Sequence, residues 1–468
     1  MQGMQDGPRA VAPAGFRTEL QGGIAIFLAM AYIVVVEPAV LTGTALGIST
    51  GIPAGAAFTA TCLAAAVACF LMGWVGRLPV AAAPYMGENF FFVTALIPAA
   101  AAAGYAEPWR AALATTLVAA LLLLLVSATG LRTVLAGGIP QSLVQAIRGG
   151  IGLFITFLGL KAAGVVVSDP GTWVGFTRAP LSPDVLVALA GLVVTVALQA
   201  RGRRGAVIAG IAITFALGVA VQWAMPRLPE AISQSVAVRG SATLNALRLP
   251  EALASLPPSP APLLLGLDWH ALWDARLLGG GIVLFLMILF DATGTLLAVT
   301  AGGGPDGGSA AGSGDPRFRR GLLADALGSV AAPLLGTSSV GAYMESTVAA
   351  PTGARTGLTA MVVGVLFLLA LPLAPLVASL GSYPPATAPA LMLVGAWITS
   401  GVRLIPWEDP TEAVPVVAGI PLTFSIAHGI AFGFVLWPLV KLAAGRAREV
   451  PGVAWVLGIL AAASLVLQ

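Results

Sequence analysis

Two polar stretches in an otherwise apolar chain contain the side chains that could do chemistry. Residues 81–90 read Ala-Ala-Ala-Pro-Tyr-Met-Gly-Glu-Asn-Phe, and residues 338–347 read Ser-Ser-Val-Gly-Ala-Tyr-Met-Glu-Ser-Thr. Both lie between apolar runs, which predicts that Glu88 and Glu345 sit at membrane depth. A charged side chain there costs roughly 2.5–3.5 kcal/mol on insertion scales, so it usually faces a cavity, a partner or a ligand. We interpret the two stretches as facing halves of one binding site.

A third acid, Asp291, lies inside the apolar run 276–300, with Thr295 one helical turn further on the same face. Two carboxylates on different spans that face one cavity suit a ligand with a row of N–H donors, because an ionised carboxylate only accepts hydrogen bonds. Burial and mutual repulsion favour the protonated form of at least one of them. Asp291 and Glu345 are therefore predicted to bind the ligand and to carry a coupling proton.

The aromatic and thioether side chains of the two stretches leave two interpretations open. Tyr85 and Tyr343 either stack on a flat ligand or pack as ordinary aromatic residues of a helix bundle. Met86 and Met344 follow them directly and would line the same cavity. These four residues join the predicted binding site.

Two further acids are candidates with a structural alternative. Glu37, in Val-Val-Glu-Pro at the end of the first apolar run, is either an interfacial residue or faces the cavity. Asp325 lies about one turn from Arg319 and Arg320, which favours an ion pair over a ligand contact. For Glu88, a role in the cavity and a structural role are both left open.

The composition defines the class of protein. Of 468 residues, 58% are hydrophobic and 9% charged, and the mean hydropathy is +0.95. Apolar runs repeatedly approach the ~20 residues that cross a bilayer as a helix, which predicts an all-α polytopic membrane protein with about fourteen spans. The alternation typical of a β-barrel is absent from the sequence. The formal charge of +3 comes from short basic clusters between spans, which indicate a cytoplasmic N-terminus and no nucleic-acid partner.

Little in the sequence indicates catalysis. Cys62 and Cys69 lie seven apart in one apolar run, the two histidines are scattered, and no metal-ligand or nucleophile–base spacing is visible. The glycine-rich stretch 301–315 lacks the Gly-Lys-Ser/Thr of a phosphate loop and is interpreted as a linker. We expect no cofactor, no metal and no enzymatic activity.

An internal repeat divides the chain into two halves. Gly-Gly-Ile at residue 22 recurs at residue 280, and Tyr-Met at residue 85 recurs at residue 343, in both cases 258 residues later (280 − 22 and 343 − 85). Seven spans per half would make the second half enter the membrane the other way up, as in secondary transporters. We predict a cytoplasmic tail 1–19, a first repeat 20–224, an extracytoplasmic loop 225–275, a second repeat 276–445 and a C-terminal segment 446–468.

The two polar stretches are also predicted to interrupt their spans. Pro84 lacks an amide hydrogen and disfavours helix at Ala83, and residues 336–341 (Gly-Thr-Ser-Ser-Val-Gly) are poor helix formers. Each stretch is therefore expected to be a short extended segment followed by a half-helix that begins near Tyr85 or Tyr343. Irregular backbone at that depth needs protein or a wet cavity to satisfy it.

Several short motifs spread over nearly the whole chain carry a family resemblance. They are Phe27-Leu-Ala-Met-Ala-Tyr-Ile33, Ala60-Thr-Cys-Leu-Ala-Ala-Ala66, Gly150-Ile-Gly-Leu-Phe154, Phe290-Asp-Ala-Thr-Gly-Thr-Leu296, Leu323-Ala-Asp-Ala326, Tyr343-Met-Glu-Ser346, Arg355-Thr-Gly-Leu-Thr-Ala360 and Pro421-Leu-Thr-Phe-Ser-Ile-Ala427. With them the chain resembles the nucleobase–cation symporter-2 (nucleobase–ascorbate) transporters, in the AzgA-like branch of purine permeases. The resemblance implies a 7+7 inverted topology, a core domain (20–130 plus 276–378), a gate domain (139–224 plus 386–445), proton symport and often a homodimer.

The resemblance implies that Asp291 and Glu345 hold the base and couple the proton, with Thr295, Tyr343 and Tyr85 beside them. Two positions depart from the family pattern: Glu-Pro replaces Asn-Pro at residue 37, and Pro-Tyr-Met-Gly-Glu-Asn replaces Pro-Gly-Met-Gly-Leu-Asn from residue 84. The predicted function is proton-coupled import of adenine, guanine or hypoxanthine across the cytoplasmic membrane. The alternatives are transport of xanthine, uracil, a cationic heterocycle or an anion on the same fold, and a channel.

Overall fold

The computed structural model describes residues 15–132, 141–171, 173–227, 229, 236–303, 316–405, 407–409, 411 and 426–466. The predicted tail up to residue 14, the linker from residue 304 onward and nearly all of the predicted span 411–425 lie outside these residues. The helices are α1 Phe16–Met30, α2 Ile33–Leu41, α3 Ala54–Leu71, α4 Met86–Phe91, α5 Ile97–Ala102, α6 Pro108–Ala128, α7 Gln141–Ala162, α8 Pro183–Ala200, α9 Ala206–Ala224, α10 Val236–Arg239, α11 Ala242–Asn245, α12 Ala275–Gly303, α13 Pro316–Leu335, α14 Gly357–Ala370, α15 Ala374–Gly381, α16 Pro384–Thr399, α17 Ile426–Ala443 and α18 Gly452–Val466. The strands are β1 Ala82–Pro84, β2 Val166–Asp169, β3 Trp173–Phe176 and β4 Val340–Ala342.

The helices follow the apolar runs of the sequence. Among the described residues seven helices are long and apolar enough to cross a membrane, or eight when the bent pair α1 and α2 counts as one span. The bend of 40° between these two helices was not expected from the sequence. The full number of about fourteen spans stays a prediction.

The two interrupted spans meet at their extended segments, as the repeat predicts. β4 begins 258 residues after β1 in the sequence (340 − 82), which is the offset of the internal repeat. The two strands pair antiparallel, with Ala83 opposite Gly341 at the centre. Equivalent segments of the two halves are thus related by a local twofold axis. After β1 the chain enters the short helix α4, whereas after β4 it forms a 3₁₀-helix, Met344–Thr352, in place of the expected α-helical half-span.

Side chains satisfy the outer edges of this two-stranded sheet. The Cys69 thiol donates to the Ala82 carbonyl (3.1 Å), and the Ser329 hydroxyl donates to the Val340 carbonyl (2.6 Å). The Ala342 amide donates to Oδ1 of Asp325 at 3.1 Å. Irregular backbone at membrane depth is tolerated only where such partners exist, so these side chains explain why the chain can be extended here.

The second oxygen of Asp325 belongs to a buried ion pair between distant segments. Nη2 of Arg132, four residues after the end of α6, donates to Oδ2 of Asp325 at 3.0 Å, and both side chains are fully buried. Arg132 also donates to the Thr293 hydroxyl (3.0 Å) and the Leu322 carbonyl (3.0 Å). The ion pair that the sequence favours for Asp325 is thus an inter-element pair with Arg132 rather than with Arg319 or Arg320, because proximity along α13 does not determine which arginine a distant segment brings in.

The described helices pack mainly within two sets. The first set contains α1–α6 and α12–α15, and the second contains α7–α9, α16 and α17. Glycine permits the closest approach in each set: a Cβ on Gly357 would lie 2.0 Å from the Gly73 carbonyl oxygen, and one on Gly395 would lie 2.6 Å from that of Gly152. Small residues at helix contacts are the usual device for packing helices in lipid.

Part of the long segment 225–275 packs against one end of the second set. Asp184, at the start of α8, accepts hydrogen bonds from the Ala242 amide (2.7 Å) and the Thr243 amide (2.8 Å). The Thr243 hydroxyl lies 2.6 Å from that of Tyr383. The start of α8 therefore contacts this segment, whereas the other end of α8 leads into the loop between α8 and α9.

Candidate functional site

A cavity of about 700 Å³ lies between the two helix sets. Its lining residues from the first set are Ala29, Tyr32, Tyr85, Met86, Gly87, Asp291, Thr295, Ala342, Tyr343, Met344, Glu345, Val348 and Pro351. Those from the second set are Gln199, Gly202, Arg203, Arg204, Gly205, Ala206, Val207, Val394, Trp397, Ile398 and Ser400. Both interrupted spans therefore contribute to one cavity, and its volume is within the ~300–1,000 Å³ of small-molecule sites.

Asp291 and Glu345 face this cavity from different elements. Asp291 lies on α12 and keeps 35% of its side-chain surface exposed, so an oxygen is available to a ligand. Glu345 lies in the first turn of the 3₁₀-helix, where Oε1 accepts a hydrogen bond from the Tyr32 hydroxyl at 3.2 Å. The two carboxyl groups can accept N–H donors from a ligand placed between them.

Arg148 pairs with Asp291 across the boundary between the helix sets. Its guanidinium donates to Oδ1 of Asp291 and, at 3.0 Å, to the Asp291 backbone carbonyl. Arg148 was not among the predicted site residues, although it stands inside the predicted span 141–163. A lone cation in an apolar run is itself a sign of a buried partner, and that signal would have identified Arg148.

Glu88 faces a neighbouring space rather than the main cavity. It lies in the first turn of α4, is 3% exposed, and lines a smaller cavity of about 70 Å³ together with Arg148 and Asp291. Asp291 lines both spaces. Glu88, Asp291 and Arg148 thus share one small space, in which Arg148 pairs with Asp291.

Tyr85 and Tyr343 stack on each other, and both line the cavity. Their ring centroids are 5.9 Å apart with an interplanar angle of 18°. The Tyr343 hydroxyl donates to the Pro84 carbonyl, and the Tyr85 ring lies so close to Gly341 that a Cβ there would be 2.1 Å from it. The tyrosine pair is therefore held by the crossing of β1 and β4.

The other predicted residues differ in exposure. Thr295 is 3% exposed and Met86 is 4% exposed, so each shows only a small surface to the cavity, whereas Met344 is 52% exposed. Tyr32, Trp397 and the residues between α8 and α9 line the cavity but were not predicted as site residues. They belong to distant segments that only the tertiary fold brings together.

Comparison with known proteins identifies the family. A family model described as "Permease family" (Xan_ur_permease) matches residues 17–459. The chain belongs to this family, the nucleobase–ascorbate transporters. The adenine permease AdeP of Escherichia coli is 36% identical over 438 residues, covering 92% of this chain and 89% of AdeP. The guanine/hypoxanthine permease PbuG of Bacillus subtilis is 36% identical over 444 residues, covering 93% of each protein.

Solved structures show the same fold at low sequence identity. The transmembrane domain of the cyanobacterium bicarbonate transporter BicA superimposes with a TM-score of 0.56 at 19% identity, covering 97% of this permease and 99% of that domain. The anion transporter SLC26A9 gives a TM-score of 0.54 at 13% identity, covering 92% and 65% respectively. These transporters have a 7+7 inverted-repeat fold, which confirms the predicted fold class. This permease is a multi-pass membrane transporter and not an enzyme.

Two candidate acids of this permease line neither cavity described above. Asp325 is held by Arg132 and by the amide of Ala342. Glu37 is fully buried on α2, and neither of its carboxyl oxygens has a hydrogen-bond partner among the described residues.

Proposed function

We propose that this permease imports purine nucleobases across the cytoplasmic membrane in symport with protons. The observation that carries the proposal is that one cavity between the helix sets presents Asp291 and Glu345 beside the stacked pair Tyr85 and Tyr343. Relatives named adenine and guanine/hypoxanthine permeases support purine bases as the substrate class. A purine offers ring N–H groups and exocyclic amines to carboxylate acceptors, and a flat face to aromatic rings.

The binding site we propose consists of Asp291, Glu345, Tyr343, Tyr85, Thr295, Met86 and Met344, with Glu88 behind Asp291. Asp291 and Glu345 accept hydrogen bonds from the base, and protonation of one of them links base binding to the proton. The tyrosine pair limits the cavity at the crossing of the strands. Arg148 holds Asp291 until a base competes for its oxygens.

The geometry also supports transport by alternating access. The cavity reaches the loop between α8 and α9, where Gly202, Arg203 and Arg204 are exposed. Basic loops lie on the cytoplasmic side in most membrane proteins, so the cavity faces the cytoplasm if the N-terminus is cytoplasmic. The predicted core domain (20–130 plus 276–378) then moves against the gate domain (139–224 plus 386–445), and the Arg148 to Asp291 contact bridges them. A homodimer remains a prediction from the resemblance.

An anion carrier is the competing function on this fold, because solved relatives of the fold include a bicarbonate transporter. The acids Asp291 and Glu345 in the cavity count against it, since a carboxylate repels an anionic ligand. A channel and the other heterocycles stay alternatives that substrate competition separates.

Uptake measurements test the proposal. Cells that lack purine transport and express this permease are expected to accumulate labelled adenine, guanine or hypoxanthine, and Glu345→Gln is expected to lower uptake about 10- to 100-fold. The reason is that an amide replaces one acceptor by a donor, and a hydrogen bond to a charged group contributes about 1.5–3 kcal/mol.

Glu107→Gln is the matched control, because Glu107 pairs with Arg110 at 2.7 Å and is largely exposed at the start of α6, away from the cavity. Normal expression of the wild-type protein with no uptake of any purine would refute the function. Wild-type uptake by Glu345→Gln would remove Glu345 from the site.

A further inference from the structure

We propose that Glu37, Asn89 and Thr337 form a second proton-binding site, separate from the purine cavity, in which Glu37 is a neutral carboxylic acid paired with the Asn89 amide. Its role in coupling rests on the proposed proton-driven purine transport. The presence of the proton on Glu37 does not depend on that transport.

Three elements bring these side chains together. Glu37 lies in α2, Asn89 in the short helix α4, and Thr337 in the segment that leads from α13 into β4. All three residues are 0% exposed. The Asn89 amide and the Thr337 hydroxyl both face the Glu37 carboxyl group. The cluster therefore joins the bent first span to both interrupted spans.

The polar atoms of this cluster have no hydrogen-bond partner elsewhere in the described chain. They are Oε1 and Oε2 of Glu37, Nδ2 and Oδ1 of Asn89, and Oγ1 of Thr337. Buried polar groups are nearly always hydrogen-bonded, so these five atoms form an unsatisfied cluster in which an ionised carboxylate would be especially costly. A proton on Glu37 removes that charge and adds a donor to the cluster.

The carboxylic acid and the amide are complementary only when Glu37 is neutral. Its O–H can then donate to Oδ1 of Asn89 while Nδ2 of Asn89 donates to the other Glu37 oxygen, a ring of two hydrogen bonds that forms once the two groups close to hydrogen-bond distance. An ionised Glu37 could accept from Nδ2 but would leave Oδ1 of Asn89 unpaired. Because neither amide atom of Asn89 has another partner, both can be hydrogen-bonded to Glu37 only when Glu37 carries a proton.

In the part of the chain that the structure describes, no cation is placed to neutralise an ionised Glu37. The described elements packed against α2 are α3, β1, α4, α15, α16 and the 3₁₀-turn Thr44–Leu46, and none of them contains Lys, Arg or His. Their other titratable groups are Cys62 and Cys69 on α3 and Glu88 on α4, and the Tyr343 phenol also interacts with Glu37. An isolated buried carboxylate costs several kcal/mol, so the group keeps its proton instead.

The position of Asn89 connects this site to the purine cavity. Asn89 shares α4 with Met86 and Gly87, which line the cavity. Loss of the proton would set Oδ1 of Asn89 against a negative charge and so favour a different position of α4. Proton release from Glu37 is therefore linked to movement of a half-helix that contacts the base, which is the requirement for coupling.

Purified permease in lipid vesicles tests the coupling role through Glu37→Gln. This variant mimics the neutral acid, since its amide can pair with the Asn89 amide. Exchange of labelled purine between the two sides is expected to stay within about twofold of the wild type, while accumulation driven by a proton gradient falls about tenfold or more and loses its pH dependence. Wild-type accumulation and pH dependence in Glu37→Gln would overturn the proposal. So would accumulation by the wild-type protein that requires Na⁺ rather than a proton gradient.

Infrared spectroscopy of the purified protein tests the proton without transport. The wild-type protein is expected to show the carbonyl band of a hydrogen-bonded carboxylic acid, and Glu37→Gln is expected to lack it. Thr337→Val keeps Glu37 and is expected to shift this band, which provides a second variant should Glu37→Gln not fold. An unchanged band in folded Glu37→Gln, or in Thr337→Val when that is the only folded variant, would overturn the proposal.

Absence of any purine exchange in the wild type would instead refute the proposed function, while the infrared result still decides the state of Glu37.

Discussion

Asp291→Asn is expected to lower purine accumulation about 100-fold or more. Asp291 is the acid that lines both cavities and keeps a third of its side chain exposed to a ligand. The amide removes a charged acceptor from the site and also leaves the Arg148 guanidinium without its counter-charge. Truncating one member of a buried charge pair costs about 2–5 kcal/mol; for this partly buried pair we take about 2.7 kcal/mol, near the low end, which corresponds to a factor of about 100. Initial rates of labelled purine uptake measure the loss.

A double substitution separates the two roles of Asp291. The thermal unfolding temperature of purified Asp291→Asn is expected to fall, because Arg148 loses the negative charge that neutralises it. The double variant Arg148→Gln with Asp291→Asn is expected to restore the unfolding temperature. Transport should not recover in the double variant, because the acid that accepts the base is still missing. Asp268→Asn, which alters an acid that caps a 3₁₀-turn in the segment 225–275, is the control and should transport normally. Recovery of uptake in the double variant would show that Asp291 serves only to neutralise Arg148.

Arg132→Ala is expected to destabilise the folded permease by about 3–5 kcal/mol. The arginine is fully buried and contacts Asp325, Thr293 and the Leu322 carbonyl, so its removal leaves a buried carboxylate without a counter-charge. Asp325 in turn accepts the Ala342 amide, so the loss should also loosen β4 beside the cavity. Thermal unfolding in detergent measures the change in stability.

Arg110→Ala is the matched control for Arg132→Ala. Arg110 also pairs with an acid, Glu107, but both side chains are substantially exposed, and such pairs contribute about 0–1 kcal/mol. Replacing both buried partners, as in Arg132→Met with Asp325→Leu, should recover much of the lost stability. Equal unfolding temperatures for Arg132→Ala and Arg110→Ala would contradict the assignment of the buried pair as a structural element.

The same architecture serves different substrates, and the side chains at its centre explain how. BicA shares the fold with this permease and is a bicarbonate transporter by name. In this chain the cavity contains two carboxyl groups, one of them paired with an arginine. Function on a common fold depends on such site residues rather than on the arrangement of helices.

The membrane class, the interrupted spans and the two-half organisation could all be predicted from the order of the amino acids. In lipid, long apolar runs favour helices, because a helix satisfies its own backbone hydrogen bonds. Proline and glycine residues interrupt two of these helices, and the offset of 258 residues relates β1 to β4. The acids Asp291 and Glu345 could be selected as candidates because an intramembrane charge is expensive wherever it occurs.

The partner of each buried polar group, in contrast, could be identified only from the packed helices. Arg148 contacts Asp291 and Arg132 contacts Asp325, at separations of 143 and 193 residues, while Glu37 meets Asn89 and Thr337. Hydrophobic patterning specifies that a helix forms and which residues are apolar, but it does not specify the neighbour that a given face will meet. Pairing between polar side chains depends on distances of about 3 Å between distant segments, and such distances exist only once the helices have packed.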